Sequence, residues 1–461
     1  MGRNELFETV ETMPVLPPIM HPLARDLAER HRRLIADLVH GLGPALHVVL
    51  PQVFSDNVRQ FRQALALAGV NGFVLFAKKA NKARCFVERC ADLGIGVDAA
   101  SLQEAAQALE CGVPGMHIGI SGPAKSPDLL TLALRQNCLV AIDGLEELHC
   151  FAALAERSGR QGRLLLRRRP DTQPGSRFGM TGDECGQAIR ACVARRDHVV
   201  LEGFAFHLSG YSPQARAHQA DRMIDCCVDA QRQGLPRCRT VNIGGGFAVR
   251  YVEAQDWHAF SERQRPTHYH ADKSFPDFYP YYSASHGAGM LADVLACTLE
   301  DGSATLAQRL KQHDIRLLLE PGRALLDQAG FSAFTVQGVK DRGASEGYGI
   351  VTAGATSFSV SEQWFNSEYL PDPMLLDDST DGAPYAACIG GASCLDSDML
   401  TWRKIRFPRR PRAGDVLLYA NTAGYQMDSN ESPFHGLPLP PKVAVTIDDG
   451  IARWRLDRCD S

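Results

Sequence analysis

The sequence predicts an α/β protein, with a closed (β/α)₈ TIM barrel followed by a C-terminal, mostly antiparallel β domain. The first observation is a series of eight short apolar runs of strand length, most of them separated by segments with helical spacing. Strands that alternate with helices form a parallel sheet, and eight such units close a barrel. The second observation is the loss of helical spacing after Gly330, where β-rich runs punctuated by Gly and Pro begin. An open, doubly wound sheet is the alternative.

The predicted barrel strands are 73–77, 95–98, 116–120, 139–142, 164–166, 201–206, 240–243 and 316–319. The predicted strands of the β domain are 331–337, 404–407, 416–419, 443–447 and 452–456. These runs divide the chain into an N-terminal segment (1–44) that packs on the β domain, a barrel (45–330) and the β domain (331–461).

An insertion at about 251–290 breaks the rhythm after the seventh barrel strand. It is rich in aromatic, His, Pro and charged residues. Long insertions in compact domains are often lids or binding loops. A surface excursion packed by its own aromatic side chains is an equally good interpretation.

Composition limits the class of protein. The net charge is −4 with mixed signs, so we expect neither a nucleic-acid nor a membrane-surface partner. The chain lacks an uncharged apolar run near the ~20 residues that span a bilayer, and residues 1–6 lack the apolar core of a signal peptide. The 14 cysteines are scattered without a CxxC pair, which favours reduced thiols and a cytoplasmic location. We expect no metal site.

Functional residue types cluster where the predicted barrel strands end, which is where barrel enzymes place their active sites. These residues are Lys79, Asp98, Arg167, His207, Gly244, Gly245, Gly246, Glu320 and Arg323. Any one of them has an ordinary structural interpretation: an exposed lysine, a tight glycine turn, an ion pair or a surface histidine. Six strand ends that together supply an amine, a flat ring, an anion cradle, an acid and a guanidinium indicate one shared site.

Each type has a function in a site for pyridoxal phosphate. Burial can lower the pKa of a lysine at a strand end and make the amine a nucleophile toward a carbonyl. Backbone N–H groups of Gly244–Gly246 can approach a phosphate closely, and Arg323 supplies a cationic fork. Glu320 can hold a proton on a pyridine nitrogen. We therefore hypothesise that Lys79 carries the cofactor as a Schiff base.

Two further segments contain residues that are typical of functional sites. Gly119 to Ser126 nearly fits a nucleotide-binding P-loop, but Ala124 replaces the glycine before Lys125 and Pro123 removes an amide donor, so we do not expect nucleotide binding. In the β domain, 394–398 packs a thiol and two carboxylates into five residues. A thiol near a cofactor can act as a general acid, and a polar loop with a buried cysteine is the alternative.

Together these residues resemble the fold-type III, pyridoxal-phosphate-dependent amino-acid decarboxylases, which include diaminopimelate, ornithine and arginine decarboxylases. The matching elements are Lys79-Ala-Asn81, Asp98-Ala-Ala-Ser101, Gly122-Pro-Ala-Lys125, Leu166-Arg-Arg-Arg-Pro170, Ser176-Arg-Phe-Gly179, Phe206-His207, Ile243-Gly-Gly-Gly-Phe247, Glu320-Pro-Gly-Arg323, Cys394 and Tyr425. The similarity runs from about residue 45 to 450.

The resemblance implies an alanine racemase-like barrel with the cofactor on Lys79 and not on Lys78. It implies that His207 stacks on the ring, that Tyr425 and Ser209 contact the phosphate, and that Cys394 returns a proton to Cα. The family residues at Asp98, Arg167 and Gly322 complete the cofactor site. Members are usually head-to-tail homodimers in which the Cys394-type loop reaches the partner's site.

Two departures from the family pattern bear on the substrate and on the phosphate. Leu395 follows the cysteine where the known decarboxylases place an acidic residue that reads the far amine of the substrate. A leucine cannot bind a cation, which argues against ornithine, lysine or diaminopimelate unless Asp396 takes over that function. His207-Leu-Ser-Gly210 inverts the common order, which puts the contact of Ser209 in doubt.

The sequence thus predicts a decarboxylase of an amino acid or amino-acid-like metabolite, with Lys79, Cys394 and His207 as catalytic residues. We expect Leu395, Asp396, Asp398 and Arg177 to face the small-molecule substrate in a homodimer. A racemase or epimerase that uses the same cofactor is the alternative, since Cys394 could serve as its second acid/base. A non-catalytic pyridoxal phosphate carrier resembles the barrel alone, and the β domain argues against it.

Overall fold

The computed structural model describes residues 13–300, 302, 304–360, 366–377, 379 and 382–457. Within these ranges eight parallel strands close into a barrel, in the order of the sequence, which confirms the predicted fold class. The barrel strands are β2 (Gly72–Ala77), β3 (Gly96–Ala99), β4 (Ile118–Ile120), β5 (Leu139–Ile142), β6 (Gly162–Arg167), β7 (Val199–Ala205), β8 (Thr240–Asn242) and β9 (Arg316–Leu319). All eight predicted runs therefore lie on barrel strands, and the open-sheet alternative is wrong.

A second sheet of nine strands is mostly antiparallel. Its strands are β1 (Ala45–Val49), β10 (Gly330–Lys340), β11 (Gly349–Ala353), β12 (Met374–Leu375), β13 (Tyr385–Gly390), β14 (Met399–Phe407), β15 (Val416–Ala420), β16 (Lys442–Asp448) and β17 (Ile451–Leu456). Strand β1 lies in the range that the sequence assigned to the barrel, but it pairs with β10 and β16 of this sheet. Residues 1–12 and 458–461 of the predicted domains lie outside the described residues.

Most of the described helices cover the outside of the barrel, whereas Arg32–Leu42 packs on strands β1 and β10 of the second sheet. The helices are Pro22–Glu29, Arg32–Leu42, Pro51–Ala68, Arg84–Leu93, Leu102–Glu110, Pro127–Arg135, Leu145–Ser158, Gly182–Ala194, Pro213–Arg232, Ala254–Arg263, Gly287–Ala296 and Leu306–Gln312, with a short helix at Gly343–Glu346 in the β domain. Local sequence fixes several of their ends. Thr181 and Glu184 form a reciprocal capping box, and Gly69 ends its helix in the left-handed region. None of the described helices is long and apolar enough to cross a membrane.

Packing on both sides fixes the end of strand β2. Phe76 on this strand lies between Phe54 and Phe86 of the flanking helices, with ring centroids 5.1 and 6.2 Å away. Burial of each such ring contributes about 2–3 kcal/mol. Beyond the strand, the Asn81 side chain donates to the carbonyl of Ala423, 2.8 Å away in the segment after β15. The turn that follows β2 is therefore held by the barrel and by the β domain together.

The aromatic insertion joins the barrel to the β domain. The backbone N–H of Tyr251 donates to the carbonyl of Tyr281 at 2.8 Å, and both rings are buried. The Tyr281 ring packs edge-on against Tyr369, with 5.3 Å between centroids. Tyr279 of the same segment lines a cavity at the end of the barrel. The insertion thus combines both interpretations, because its aromatics pack together and one of them reaches a cavity.

His47 on β1 makes the stability of the fold depend on pH. It is fully buried, and its Nδ1 lies 2.8 Å from Oγ of Ser332 on β10. Burial, with a smaller contribution from the charge of Lys442, lowers the pKa of His47 from 6.5 to about 3. Between these two pH values the folded protein binds fewer protons than the unfolded chain. The stabilisation from neutral His47 is therefore present above pH ~6.5 and is lost as the pH falls toward ~3.

We expect His47→Gln to lower the free energy of unfolding at pH 7 by about 1–3 kcal/mol, because the amide replaces the ring imperfectly. Glutamine can still bond to Ser332 but does not titrate. The variant should therefore lose less stability than the wild type between pH 7 and pH 5. Chemical denaturation at both pH values measures this difference. Equal losses in the two proteins would contradict the pH dependence assigned to His47.

Candidate active site

Lys79 lies in the centre of the candidate site. It belongs to a 3-10 turn, Lys78–Ala80, directly after strand β2. The exposed surface of its side chain faces two cavities of about 400 Å³ each, and Glu320 and His207 also line both. The backbone N–H of Tyr425 donates to the carbonyl of Ala80 at 2.8 Å. The amine and the β-domain tyrosine are thus held at the same place.

The electrostatics of Lys79 differ from the prediction. Burial by itself lowers the pKa of Lys79, but the charges of Tyr425, Asp98 and Glu320 together outweigh it. The resulting pKa lies above the ordinary value. The prediction that burial lowers the pKa of Lys79 is therefore wrong for the amine in its surroundings of protein groups. A sequence does not show how many anionic groups lie around one lysine.

Asp98, at the end of β3, is buried next to this amine. Burial, followed by the charge of Glu320, raises the pKa of Asp98 well above its usual range, although the charge of Lys79 opposes the shift. Its Oδ1 has no hydrogen-bond partner among the described residues. A buried carboxyl oxygen without a partner is costly, so this atom points to a ligand that completes the site.

The triple-glycine turn follows β8 as predicted, and a residue that the sequence analysis missed holds it in place. Gly244 and Gly246 have φ values of +67° and +77°, in the left-handed region where glycine is favoured. The guanidinium of the fully buried Arg216 donates to the carbonyls of Ile243 (2.9 Å) and Gly246 (3.0 Å). Burial lowers the pKa of Arg216 to about 10. A buried arginine inside a long helix left no signal in the sequence pattern.

Asn242 is a second residue that sequence reasoning missed. Its Nδ2 donates to Oε1 of Glu320 at 2.6 Å, and its Oδ1 accepts from the N–H of Gly244 at 2.9 Å. The backbone N–H of Glu320 in turn donates to the carbonyl of Gly244 at 2.9 Å. One asparagine therefore fixes the carboxylate and the glycine turn relative to each other. Its position at the last residue of β8 was the available signal.

Arg323 and Tyr425 meet at the first of the two cavities, beside Gly245 and Gly246. Nη1 of Arg323 donates to the carbonyl of Gly424 and to Oε1 of Gln426, both at 3.1 Å. A Cβ at Gly322 would lie 2.9 Å from Cβ of Ala80 and 3.2 Å from Oη of Tyr425, so only glycine allows this contact.

Two more phenols close the first cavity. Tyr211 and Tyr279 both line it, and Oη of Tyr211 donates to Oη of Tyr279 at 2.7 Å. The guanidinium carbon of Arg323 lies 4.1 Å from the centroid of the Tyr279 ring. Neither tyrosine was predicted to have a function. For Tyr279 the reason is that the insertion that carries it has no periodic pattern.

His207 projects from the end of β7 between the two cavities. Burial, followed by the charge of Lys79, lowers the pKa of His207 to about 3. The imidazole is therefore neutral at physiological pH. A flat, neutral ring at this place suits stacking on an aromatic ligand, as the resemblance implied.

The second cavity has a different polar lining. Arg167 lines it, and Nη1 of Arg167 lies 3.3 Å from Oδ1 of Asp143. The Phe178 ring lies between the guanidinium carbons of Arg167 (4.5 Å) and Arg177 (4.1 Å). Arg177 is exposed on the outer side of this ring. Ser209 lines the second cavity and not the one with the glycine turn, so its doubtful phosphate contact gains no support.

The near-P-loop segment has a structural role. Lys125 is buried, and its Nζ lies 3.0 Å from both carboxylate oxygens of Glu147. The amine also donates to the carbonyl of Gly122 at 2.9 Å. The ion pair with Glu147 therefore occupies this lysine.

The loop 394–398 lies apart from the cavities in this chain. Cys394, Leu395 and Asp396 are exposed, and Cys394 is not among the described residues that line either cavity with Lys79. Asp398 is buried instead, and its oxygens accept from the N–H groups of Ser357 (2.6 Å) and Ser393 (3.1 Å). Asp398 thus anchors the loop, and a substrate contact from it is not what the structure indicates.

Comparison with known proteins finds relatives among the pyridoxal-dependent decarboxylases. Residues 53–281 match the family model described as pyridoxal-dependent decarboxylase, pyridoxal binding domain. The chain is 34% identical to the uncharacterised protein y4yA of Sinorhizobium fredii, over 96% of each chain. It is 24% identical to diaminopimelate decarboxylase of Bacillus subtilis, over 91% of this chain and 90% of the relative.

Solved structures show the same fold. Diaminopimelate decarboxylase from M. jannaschii, solved with L-lysine, aligns with a TM-score of 0.72 at 19% identity, over 92% of this chain and 91% of that one. The lysine/ornithine decarboxylase of Vibrio vulnificus, solved with putrescine, aligns with a TM-score of 0.67 at 18% identity, over 90% and 98%.

The strand ends of this barrel bring together an amine, two carboxyl groups, a glycine turn and a buried arginine. This set of groups defines a site for an anionic cofactor that bears a carbonyl group. The chain belongs to the fold-type III family of pyridoxal-phosphate-dependent decarboxylases. It is accordingly a carboxy-lyase with pyridoxal 5'-phosphate as its cofactor.

The residues present fit this cofactor. Gly245, Gly246 and Arg323 line one cavity with Lys79, so amide and guanidinium donors for a phosphate lie in the same space as an amine for an aldehyde. The carboxylate of Glu320 and the neutral ring of His207 suit a pyridine nitrogen and a pyridine face. The buried Oδ1 of Asp98 lacks a protein partner in the described part of the chain.

Proposed function

We propose that the chain decarboxylates an α-amino acid or an amino-acid-like metabolite, with the amine of Lys79 holding pyridoxal phosphate. The observation that carries the proposal is that Lys79, His207 and Glu320 line both cavities at the end of the barrel. An amine, a neutral ring and a carboxylate therefore face one space from three strand ends.

When bound, pyridoxal phosphate supplies an electron sink for the pair left on Cα as the carboxylate departs. Glu320 holds a proton at the pyridine nitrogen, and Asn242 keeps its carboxylate in place through the 2.6 Å hydrogen bond. His207 faces the ring as a neutral imidazole. Arg323, Tyr425 and the glycine turn bind the phosphate. These groups are held by the barrel before the substrate arrives, so little reorganisation accompanies the reaction.

We propose that Cys394 returns a proton to Cα in the site of a second copy of the chain. Its thiol is exposed and does not line the cavities that contain Lys79 of its own chain. Leu395 and Phe434 expose 46% and 37% of their surface beside it, as expected for a face that another subunit covers. A homodimer would bring this thiol to the partner's Lys79, in agreement with the resemblance.

Mixing two inactive variants tests this arrangement. We expect Lys79→Ala and Cys394→Ala each to lose nearly all activity, whereas purified mixed dimers should regain about half of the wild-type rate and the unfractionated mixture about a quarter. One site of each mixed dimer would then be intact, and about half of the dimers would be mixed. Co-expression with two affinity tags, followed by turnover assays, measures the recovery. Failure to recover any activity would contradict a site shared between subunits.

The substrate class follows from the loop beside Cys394. Leu395 offers no charge, Asp398 is occupied by two backbone N–H groups, and Arg167 and Gln173 line the second cavity. We propose a substrate whose far end carries no positive charge. Each cysteine that the structure describes is a free thiol, which fits the cytosolic location that we propose.

Release of CO₂ tests the function. The purified protein, loaded with pyridoxal phosphate, is assayed against the L- and D-forms of leucine and phenylalanine, and against lysine, ornithine and meso-diaminopimelate. We expect CO₂ from leucine or phenylalanine and little from the three compounds that carry a second amine. Absence of CO₂ with every compound would contradict the proposed function, and rapid turnover of ornithine would contradict the substrate class alone.

A racemase is the second candidate, because the phenol of Tyr279 lines the same cavity as Lys79. Such an enzyme needs a second acid/base at Cα. Burial raises the pKa of Tyr279 well above its usual range, although the charge of Arg323 opposes the shift. A phenol that keeps its proton is a poor base, so decarboxylation is the better supported function. If an amino acid lost its optical rotation in the presence of the protein without release of CO₂, racemisation would be the better supported function.

A further inference from the structure

Two loops bring a thiol and an imidazole together at the edge of the β domain. Sγ of Cys394 lies 3.2 Å from Nε2 of His435, and the backbone N–H of Cys394 donates to the same nitrogen at 3.4 Å. The two residues are 41 positions apart in the sequence. Nothing in their local sequence pattern indicates the pair, and it involves no residue of the Lys79 cavities.

Both members of the pair are held in place. His435 adopts φ +61° inside the 3-10 turn Phe434–Gly436. A residue other than glycine in this region costs about 1–2 kcal/mol. The Phe434 and His435 rings are in contact, with centroids 4.1 Å apart. On the other side, Asp398 anchors the cysteine loop through the N–H of Ser393.

The hydrogen bonds define the form of the imidazole. Nε2 accepts from a backbone N–H, so in the neutral ring the proton lies on Nδ1. In that tautomer the single lone pair of Nε2 is shared between the backbone N–H at 3.4 Å and the S–H, whose sulfur lies 3.2 Å away. A base within hydrogen-bond distance of a thiol is the arrangement that moves a proton on and off sulfur. His435 is exposed in the single chain, and the relay requires that solvent still reaches its ring in the proposed dimer.

We propose that His435 is a positioning residue that orients the Cys394 thiol and restores its proton after each turnover. This inference rests on the proposed function, in which Cys394 acts at Cα. As the C–H bond forms, the S–H bond breaks and leaves a thiolate. Nε2 then takes one proton from solvent and passes it to Sγ. One solvent proton is consumed in each cycle, which matches the proton that the amine product gains when CO₂ leaves.

Alkylation by iodoacetamide tests the pair without any substrate. We expect Cys394 in the wild-type holoenzyme to react at least about ten times faster at pH 7 than in His435→Asn, because the imidazole no longer withdraws the thiol proton. Asparagine tolerates the left-handed backbone. Peptide mass spectrometry reads each site, with the exposed Cys150 as an internal reference and the buried Cys192 as a check on folding.

Three comparisons make the result decisive. His435→Gln should give the same loss as His435→Asn, whereas His40→Gln, at an exposed histidine on helix Arg32–Leu42, should leave the alkylation of Cys394 unchanged. If Cys394 reacts equally fast in the wild type and in both His435 variants, the proposal is overturned. Since no turnover is involved, this outcome leaves the decarboxylase proposal intact.

Turnover provides the second readout, with the amino acid that releases CO₂ fastest in the panel above. We expect His435→Asn to release CO₂ and form the amine at nearly the wild-type rate in the first turnover, for which the thiol already carries its proton, and to run the later turnovers about 10–100-fold more slowly. A merely structural role would slow the first turnover as much as the later ones and would overturn the relay. Absence of CO₂ from the wild type would instead count against the proposed function.

Discussion

Lys79→Ala is expected to leave a folded protein that neither retains pyridoxal phosphate nor releases CO₂. Turnover should fall by at least ~10³-fold, since the amine that holds the cofactor is lost. Gel filtration with added cofactor, followed by the visible absorbance of the protein peak, measures retention. The wild type should carry that absorbance and the variant should not.

Lys78→Met is the matched control for this result. Lys78 is the neighbouring lysine, it is 3% exposed, and it lies outside both cavities as the structure describes them. Its Nζ lies 3.5 Å from the carbonyl of Lys82. Methionine preserves most of this packing, so the variant should keep its cofactor. If Lys78→Met lost the cofactor and Lys79→Ala retained it, the assignment of the cofactor to Lys79 would be wrong.

Glu320→Gln should reduce kcat by about 10²–10³-fold while the variant still binds the cofactor. The amide keeps the size of the side chain but cannot hold a proton at a pyridine nitrogen as a carboxylate does. Because Asn242 donates to Oε1 of Glu320 at 2.6 Å, the glutamine oxygen can keep that bond. The loss therefore reports on charge and not on position.

Glu320→Asp separates the two effects, since it keeps the charge and moves it back by one methylene. We expect this variant to retain more activity than Glu320→Gln. Steady-state kinetics on both proteins, with cofactor occupancy measured for each, decide the point. Full activity of Glu320→Gln would exclude a catalytic role for the carboxylate.

The sequence predicted the barrel well because its signal is local. Each barrel strand is a short apolar run, and its functional residue is the next polar residue along the chain. That rule placed His207 and Glu320 together with the two lysines after β2, and the family resemblance selected Lys79 over Lys78. The structure finds Lys79, His207 and Glu320 on both cavities. The β domain was predicted less completely. Strands β11, β12 and β13 were missed, because β12 has two residues and the sequences of β11 and β13 consist mostly of small and apolar residues.

The residues that sequence reasoning missed act through tertiary contacts. Arg216 reaches the glycine turn from the first turn of a helix, and Tyr279 enters a cavity from an irregular insertion. His435 meets Cys394 across 41 residues. Asp398 was predicted to face the substrate from its neighbourhood alone, and the structure adds that its oxygens accept from two backbone N–H groups. No periodicity records such pairings, so a structure was needed to find them.

The central claim is that the amine of Lys79 holds pyridoxal phosphate, and chemical mapping tests it most directly. The wild-type protein is loaded with the cofactor and treated with borohydride, which makes the linkage irreversible, and is then digested for peptide mass spectrometry. We expect one modified peptide, with the pyridoxyl phosphate group on Lys79 and an unmodified Lys78. Modification at another lysine, or recovery of Lys79 unmodified from a protein that had retained its cofactor, would contradict the claim.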